Sequence, residues 1–149
     1  MPGPLTILVL HGPNLNLLGT REPQIYGRMT LDDVNGRLRS VAEELGVEVD
    51  VFQSNYEGAL LDKMQAGSGA VQGCLLNAGA LTHTSAALHD CIKAMPYPVV
   101  EVHLSNVHAR EDWRRHSYVG MAARASVAGF GWRSYTAALR ALVEQLRDE

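Results

Sequence analysis

Short apolar runs alternate with amphipathic stretches along the whole chain. Thr6–Leu10 is apolar after its threonine, the pattern of a strand covered on both faces. Thr30 is placed to cap a helix that carries Asp32 and Asp33 in its first turn and runs to about Leu45, where Gly46 ends it. Val47–Gln53 alternates apolar and polar residues and predicts a second strand. Glu57–Gln65 predicts a helix, broken by Gly67-Ser-Gly69. Gly73–Leu76 predicts a short buried strand that stops at Asn77. After a loop over 78–83, Thr84 or Ser85 caps a helix to about Met95, and Pro96-Tyr-Pro98 forbids its continuation. Val99–His103 predicts a fourth strand, Ala125–Ala128 a weak fifth, and Trp132–Arg147 a final amphipathic helix.

Strands that alternate with helices predict an α/β fold with a parallel sheet between two helical layers. The simplest arrangement is a flavodoxin-like three-layer sandwich with strand order 2-1-3-4-5. Its switch point lies between strands 1 and 3, so the loops after strands 1, 3 and 4 converge there. The chain reads as one catalytic domain over residues 1–149, with no repeat, low-complexity tract or linker.

Composition narrows the function classes. The net charge of −3 gives no electrostatic case for nucleic acid or an anionic membrane. No apolar run approaches the length that spans a bilayer, and the start at Met1-Pro-Gly-Pro lacks the basic region of a signal peptide. Cys74 on a strand and Cys91 on a helix read as reduced core thiols of a cytoplasmic protein. The histidines lack metal-ligand spacing, no glycine-rich phosphate cradle is present, and Lys63 and Lys93 fall on helices without Schiff-base surroundings.

The polar residues gather in the three convergent loops. Residues 11–27 are punctuated by Gly12, Pro13, Gly19, Pro23 and Gly27, so no helix or strand is expected to run through them. They carry Asn14, Asn16, Arg21 and Tyr26. A free tyrosine has a pKa of about 10. A guanidinium at about 4 Å offers on the order of 4 kcal/mol toward the phenolate, enough to make Tyr26 a base. Arg21 and Tyr26 also fit an ordinary loop. The second segment, Asn77 to Ser85, joins an asparagine at a strand end to a glycine turn and a helix start, which suits an anion. His83 there either donates to a substrate hydroxyl or faces solvent beside a capped helix. Glu101 and His103 share one face of the fourth strand. They form a carboxylate–imidazole pair that fixes a tautomer and suits a general acid, unless that strand is a surface edge. Arg110 and Arg114 are four apart and would share a helix face, as an anion-binding cluster or as a solvated charge run. Asp90 lies about two turns from the site end of its helix, an awkward reach for its own pocket.

Several strings then coincide in order: Gly12-Pro-Asn-Leu-Asn-Leu-Leu-Gly-Thr-Arg-Glu-Pro, Ile25-Tyr-Gly, Gln53-Ser-Asn, Thr82-His-Thr-Ser, Glu101-Val-His-Leu-Ser-Asn and His116-Ser-Tyr. Together they resemble the type II 3-dehydroquinate dehydratases over nearly the whole chain. The resemblance implies dehydration of 3-dehydroquinate to 3-dehydroshikimate by anti elimination through an enolate, in the shikimate pathway or quinate catabolism, without metal, Schiff base or other cofactor. It implies Tyr26 as the base, with Arg21, helped by Arg110, favouring its phenolate. Asn14 would steady the enolate through a water, and His103, oriented by Glu101, would protonate the departing hydroxyl. Asn77 and the backbone of Leu104 and Ser105 would grip the substrate carboxylate, while His83 and Arg114 would bind the ring hydroxyls. It further implies a homo-dodecamer of four trimers, with Asp90 donated across an interface. His11 stands where that family frequently has asparagine, Ala78 and Leu81 where proline and tyrosine are commoner, and Gly120 where serine is common. Two rival readings keep the fold: a non-catalytic module that binds a small acid, and a phosphate or flavin binder.

Overall fold

The computed structural model describes residues 3–20, 22–26 and 28–149, with Tyr26 described by its backbone alone. Five strands form one sheet: β1 (Thr6–His11), β2 (Glu48–Gln53), β3 (Gly73–Asn77), β4 (Val99–His103) and β5 (Ala125–Ala128). Every pairing is parallel and the order is β2-β1-β3-β4-β5, the arrangement that the hydrophobic pattern predicts. The helices are α1 (Pro23–Tyr26), α2 (Leu31–Leu45), α3 (Glu57–Ala66), α4 (Ala86–Ala94), α5 (Tyr118–Ala122) and α6 (Arg133–Asp148).

Alternation along each strand sorts the core into two layers. Ile7 and Val9 of β1, Leu75 of β3, and Val100 and Val102 of β4 pack on Val34 and Leu38 of α2 and on Leu139 and Leu142 of α6. Leu8 and Leu10, Cys74 and Leu76, and Val99 face the other way, onto Leu60 and Met64 of α3 and Leu88 and Ile92 of α4. Both cysteines are free and buried. Helix starts follow the side-chain chemistry. Thr30 Oγ1 accepts from the Asp33 N–H at 3.1 Å while Asp33 Oδ2 accepts from the Thr30 N–H at 3.0 Å, a reciprocal capping box. Ser85, rather than Thr84, caps α4 by accepting from the Leu88 N–H.

The connecting segments are more ordered than their glycines and prolines predict. The stretch expected to be free of helix contains a 3-10 turn at Leu15–Leu17 and the short α1. Asn14 takes a left-handed backbone (φ 71°) that turns the chain into the first, and Pro23 opens the second, where a missing N–H costs nothing. Residues Gly79–His83 form a 3-10 turn rather than an open loop. The segment after β4 is two 3-10 turns, Val107–Ala109 and Asp112–Arg115, with Arg110 extended between them. Arg110 and Arg114 therefore do not share a helix face.

Backbone contact fixes the switch point. The Gly12 N–H donates to the Asn77 carbonyl at 2.7 Å, and a Cβ on Gly12 would lie 2.5 Å from the Ala78 oxygen. Gly79 (φ 59°) answers from the other side, where a Cβ would meet the Pro13 oxygen at 2.8 Å. The loops after β1 and β3 thus touch main chain to main chain. Gly12→Ala is expected to cost about 3 kcal/mol in chemical denaturation, because neither backbone can yield without breaking the ends of β1 and β3. A loss below about 0.5 kcal/mol would contradict this packing.

Candidate active site

The loops after β1, β3 and β4 enclose a cleft with about 480 Å³ of empty space, part of it open to solvent. Asn14, Asn77, His83, His103, Leu104, Ser105, Arg110 and Arg114 all line it. Eight of the residues singled out from sequence are thereby brought to one place. Arg21 and the Tyr26 side chain lie outside the described residues. Pro23, Gln24 and Ile25 of α1 border a wider hollow that shares Leu104, Ser105 and Arg110 with the cleft. The backbone leading to Tyr26 therefore adjoins the site.

His103, which lines the cleft, is paired with a buried carboxylate. β4 is not a surface edge strand: all five of its residues are buried, with β5 beyond them. His103 Nε2 lies 2.9 Å from Glu101 Oε2. The same carboxylate accepts from Ser126 Oγ at 2.7 Å and from Ser117 Oγ. Burial alone would raise the Glu101 pKa, but the hydrogen bonds from His103, Ser117 and Ser126 outweigh it and hold the carboxyl down at about 2. With Nε2 committed to Glu101, Nδ1 is the His103 nitrogen left for the cleft.

The main chain sets the tautomer of His83. Its Nδ1 lies 2.8 Å from the His116 carbonyl oxygen, which can only accept, so Nδ1 carries the proton. Burial lowers the His83 pKa, partly opposed by that bond. The neutral ring then keeps Nε2 as its acceptor nitrogen. The His83 ring stacks on His103 with centroids 6.5 Å apart and meets Trp113 edge-on at 5.3 Å.

Cations rim the cleft. Arg114 is held by Glu111 at 2.8 Å and stacks 4.1 Å above the Trp113 ring. Arg110 Nη1 donates to Ser105 Oγ at 3.3 Å. Two guanidiniums, an amide and a helical turn's N–H groups suit an anionic ligand. Asp90 stands apart: it is exposed on α4, accepts from His89 at 2.9 Å, and is no part of this chain's cleft. Among the described residues no three His, Cys, Asp or Glu side chains gather as metal ligands.

Sequence reasoning missed Ser117, Ser126 and Trp113, and gave no role to Gln53. Ser126 reaches Glu101 because β5 pairs Ser126 with Glu101 in register, which no local pattern announces. Gly120 leaves room for that carboxylate, since a Cβ there would come within 2.9 Å of Oε1. Gln53 Nε2 donates to the Gly12 carbonyl at 3.2 Å and steadies the first loop.

The lowered Glu101 pKa sets a pH dependence. Its stabilisation is complete above the ordinary value of 4.5 and disappears as pH falls toward about 2. Glu101→Gln is expected to lose about 3 kcal/mol near neutral pH, with the gap to wild type narrowing across that acid window in denaturation midpoints. A gap that stays constant with pH would contradict the ionised, buried carboxylate.

Comparisons with known proteins identify the family. The family model described as dehydroquinase class II matches residues 5–143. A protein of Ralstonia nicotianae named 3-dehydroquinate dehydratase 2 is 58% identical over 143 residues, covering 93% of each chain. The crystal structure of the type II dehydroquinase from Butyrivibrio crossotus superposes with a TM-score of 0.91 at 35% identity, covering 93% of this chain and 97% of that one. That of the type II dehydroquinase from Propionibacterium acnes gives 0.90 at 38% identity, covering 95% and 99%. The chain belongs to the class II dehydroquinase family.

Proposed function

We propose that this chain dehydrates 3-dehydroquinate to 3-dehydroshikimate, with Tyr26 as base and His103 as acid. Family membership makes it a type II 3-dehydroquinate dehydratase, a lyase whose reaction belongs to the shikimate pathway. The observation that supports the assignment of roles best is the buried Glu101–His103 pair, which leaves one ring nitrogen for an arginine-rimmed cleft.

The chemistry needs two proton transfers. Tyr26, as phenolate favoured by Arg21 and Arg110, takes the proton from the carbon next to the ketone. The electron pair moves onto the ketone oxygen, and the enolate is steadied by a water held on Asn14. As the enolate collapses, the carbon–oxygen bond to the neighbouring hydroxyl breaks, and His103 delivers a proton from Nδ1 so that water departs. Asn77, with the backbone of Leu104 and Ser105, holds the substrate carboxylate. Arg114 and the acceptor nitrogen of His83 hold the ring hydroxyls. The Arg110 and Arg114 charges favour a carboxylate substrate entering the cleft.

The same reading takes residues 1–149 as one catalytic domain and makes it part of a homo-oligomer, a dodecamer of four trimers. Asp90 serves a neighbouring subunit's cleft there, in keeping with its exposed place on α4. It places the enzyme in the cytoplasm, where two buried free thiols are at ease. Its flux runs in the shikimate pathway or in quinate catabolism.

Purified protein given 3-dehydroquinate in the presence of a chelator is expected to generate the conjugated enone, followed by ultraviolet absorbance. Tyr26→Phe is expected to lower kcat by about 10³-fold while still binding product in a thermal-shift assay. Turnover near the wild-type rate in that variant would contradict the assignment.

A further inference from the structure

Behind Asn77 runs a buried chain of hydrogen bonds that the proposed mechanism does not use. His11, at the end of β1, faces the α2–α6 side of the sheet, like Ile7 and Val9 before it. Its Nε2 lies 2.8 Å from Asn35 Oδ1 on α2, and its Nδ1 lies 2.8 Å from the Tyr135 hydroxyl on α6. Asn77 Nδ2 donates to that same hydroxyl at 3.0 Å. His11 and Tyr135 are both fully buried, so each polar atom depends on these partners.

The polarity of the chain follows from one end. The Gly79 N–H, which can only donate, lies 3.2 Å from the Asn77 side-chain oxygen. Asn77 must therefore turn Oδ1 toward Gly79 and its NH₂ toward Tyr135. The Tyr135 oxygen accepts from that amide, so its own proton goes to the remaining neighbour, His11 Nδ1. A ring that accepts at Nδ1 carries its proton on Nε2, which donates to Asn35. Burial keeps the ring neutral, with the His11 pKa lowered to about 4 against the opposing bond from Asn35, and pushes the Tyr135 phenol upward. Among the described residues the second N–H of Asn77 has no partner, and Asn77 lines the cleft.

We propose that His11 and Tyr135 are positioning residues that fix the Asn77 amide in one orientation, with an N–H presented to the substrate carboxylate. The inference rests on the proposed role of Asn77. If the Asn77 amide were reversed, its oxygen would face the incoming carboxylate and repel it. That reversal is costly because the Asn77 NH₂ would then face the Gly79 N–H, and Tyr135, His11 and Asn35 would all have to reverse in concert to keep their bonds.

The test combines a variant set with a spectrum of the unaltered enzyme. Tyr135→Phe keeps the buried ring and removes the hydroxyl. It is expected to raise KM about tenfold with kcat within about threefold of wild type, as Asn77→Ala does, and to add nothing further in the Asn77→Ala background. A merely structural Tyr135 would lower the melting temperature and leave KM alone. If Asn77→Ala leaves KM unchanged, the assignment of Asn77 to the substrate falls. If Asn77→Ala raises KM and Tyr135→Phe does not, the present inference alone falls. Two-bond ¹H–¹⁵N spectra of the wild-type enzyme are expected to show His11 as the Nε2–H tautomer. A proton found on Nδ1 would overturn the chain's direction even if the variants fail to fold.

Discussion

Glu101 is a carboxylate inside a parallel sheet, and a charge there is tolerable only if every lone pair that faces protein is answered. Its two oxygens are answered by His103, Ser117 and Ser126, from three separate parts of the chain. Much of the local architecture follows from that requirement. β5 must pair in a register that sets Ser126 opposite Glu101. The turn before α5 must bring Ser117 over β4, and Gly120 leaves the carboxylate space beside it. The imidazole that results is oriented by protein on one nitrogen and leaves the other for the cleft.

The second constraint is backbone approach. Gly12 and Gly79 let two loops meet without side chains between them, so Asn14 and Asn77 stand on a shared main-chain platform. The site therefore sits on the rigid ends of β1, β3 and β4, as polar groups at a switch point do in open α/β sheets. Hydrogen bonds of fixed direction extend this rigidity inward, through Tyr135 and His11 to Asn35 on α2.

The sheet was legible because its central strands are covered on both faces, and such strands leave near-continuous apolar runs such as Ile7–Leu10. Caps at Thr30 and Ser85 were legible because their partners lie three residues away. Single-turn elements were not: the turns at Leu15–Leu17 and Asp112–Arg115, and the five-residue α5, are too short to show a period. The candidate site residues were legible as strings at strand ends. Their partners were not, since the His83 proton is placed by a carbonyl 33 residues away and the His11 ring is answered by a phenol 124 residues away. Arg110 and Arg114 reach one cleft from separate turns, a result that helical spacing misjudged.

The proposed mechanism divides the labour: proton removal from carbon is assigned to Tyr26, and delivery to the leaving oxygen to the Glu101-held His103. The most direct measurement is solvent exchange in deuterium oxide with His103→Ala, followed by NMR of 3-dehydroquinate. Deuterium is expected still to enter the carbon next to the ketone while enone formation falls at least about 100-fold. Exchange and elimination lost together, or elimination retained at the wild-type rate, would contradict it.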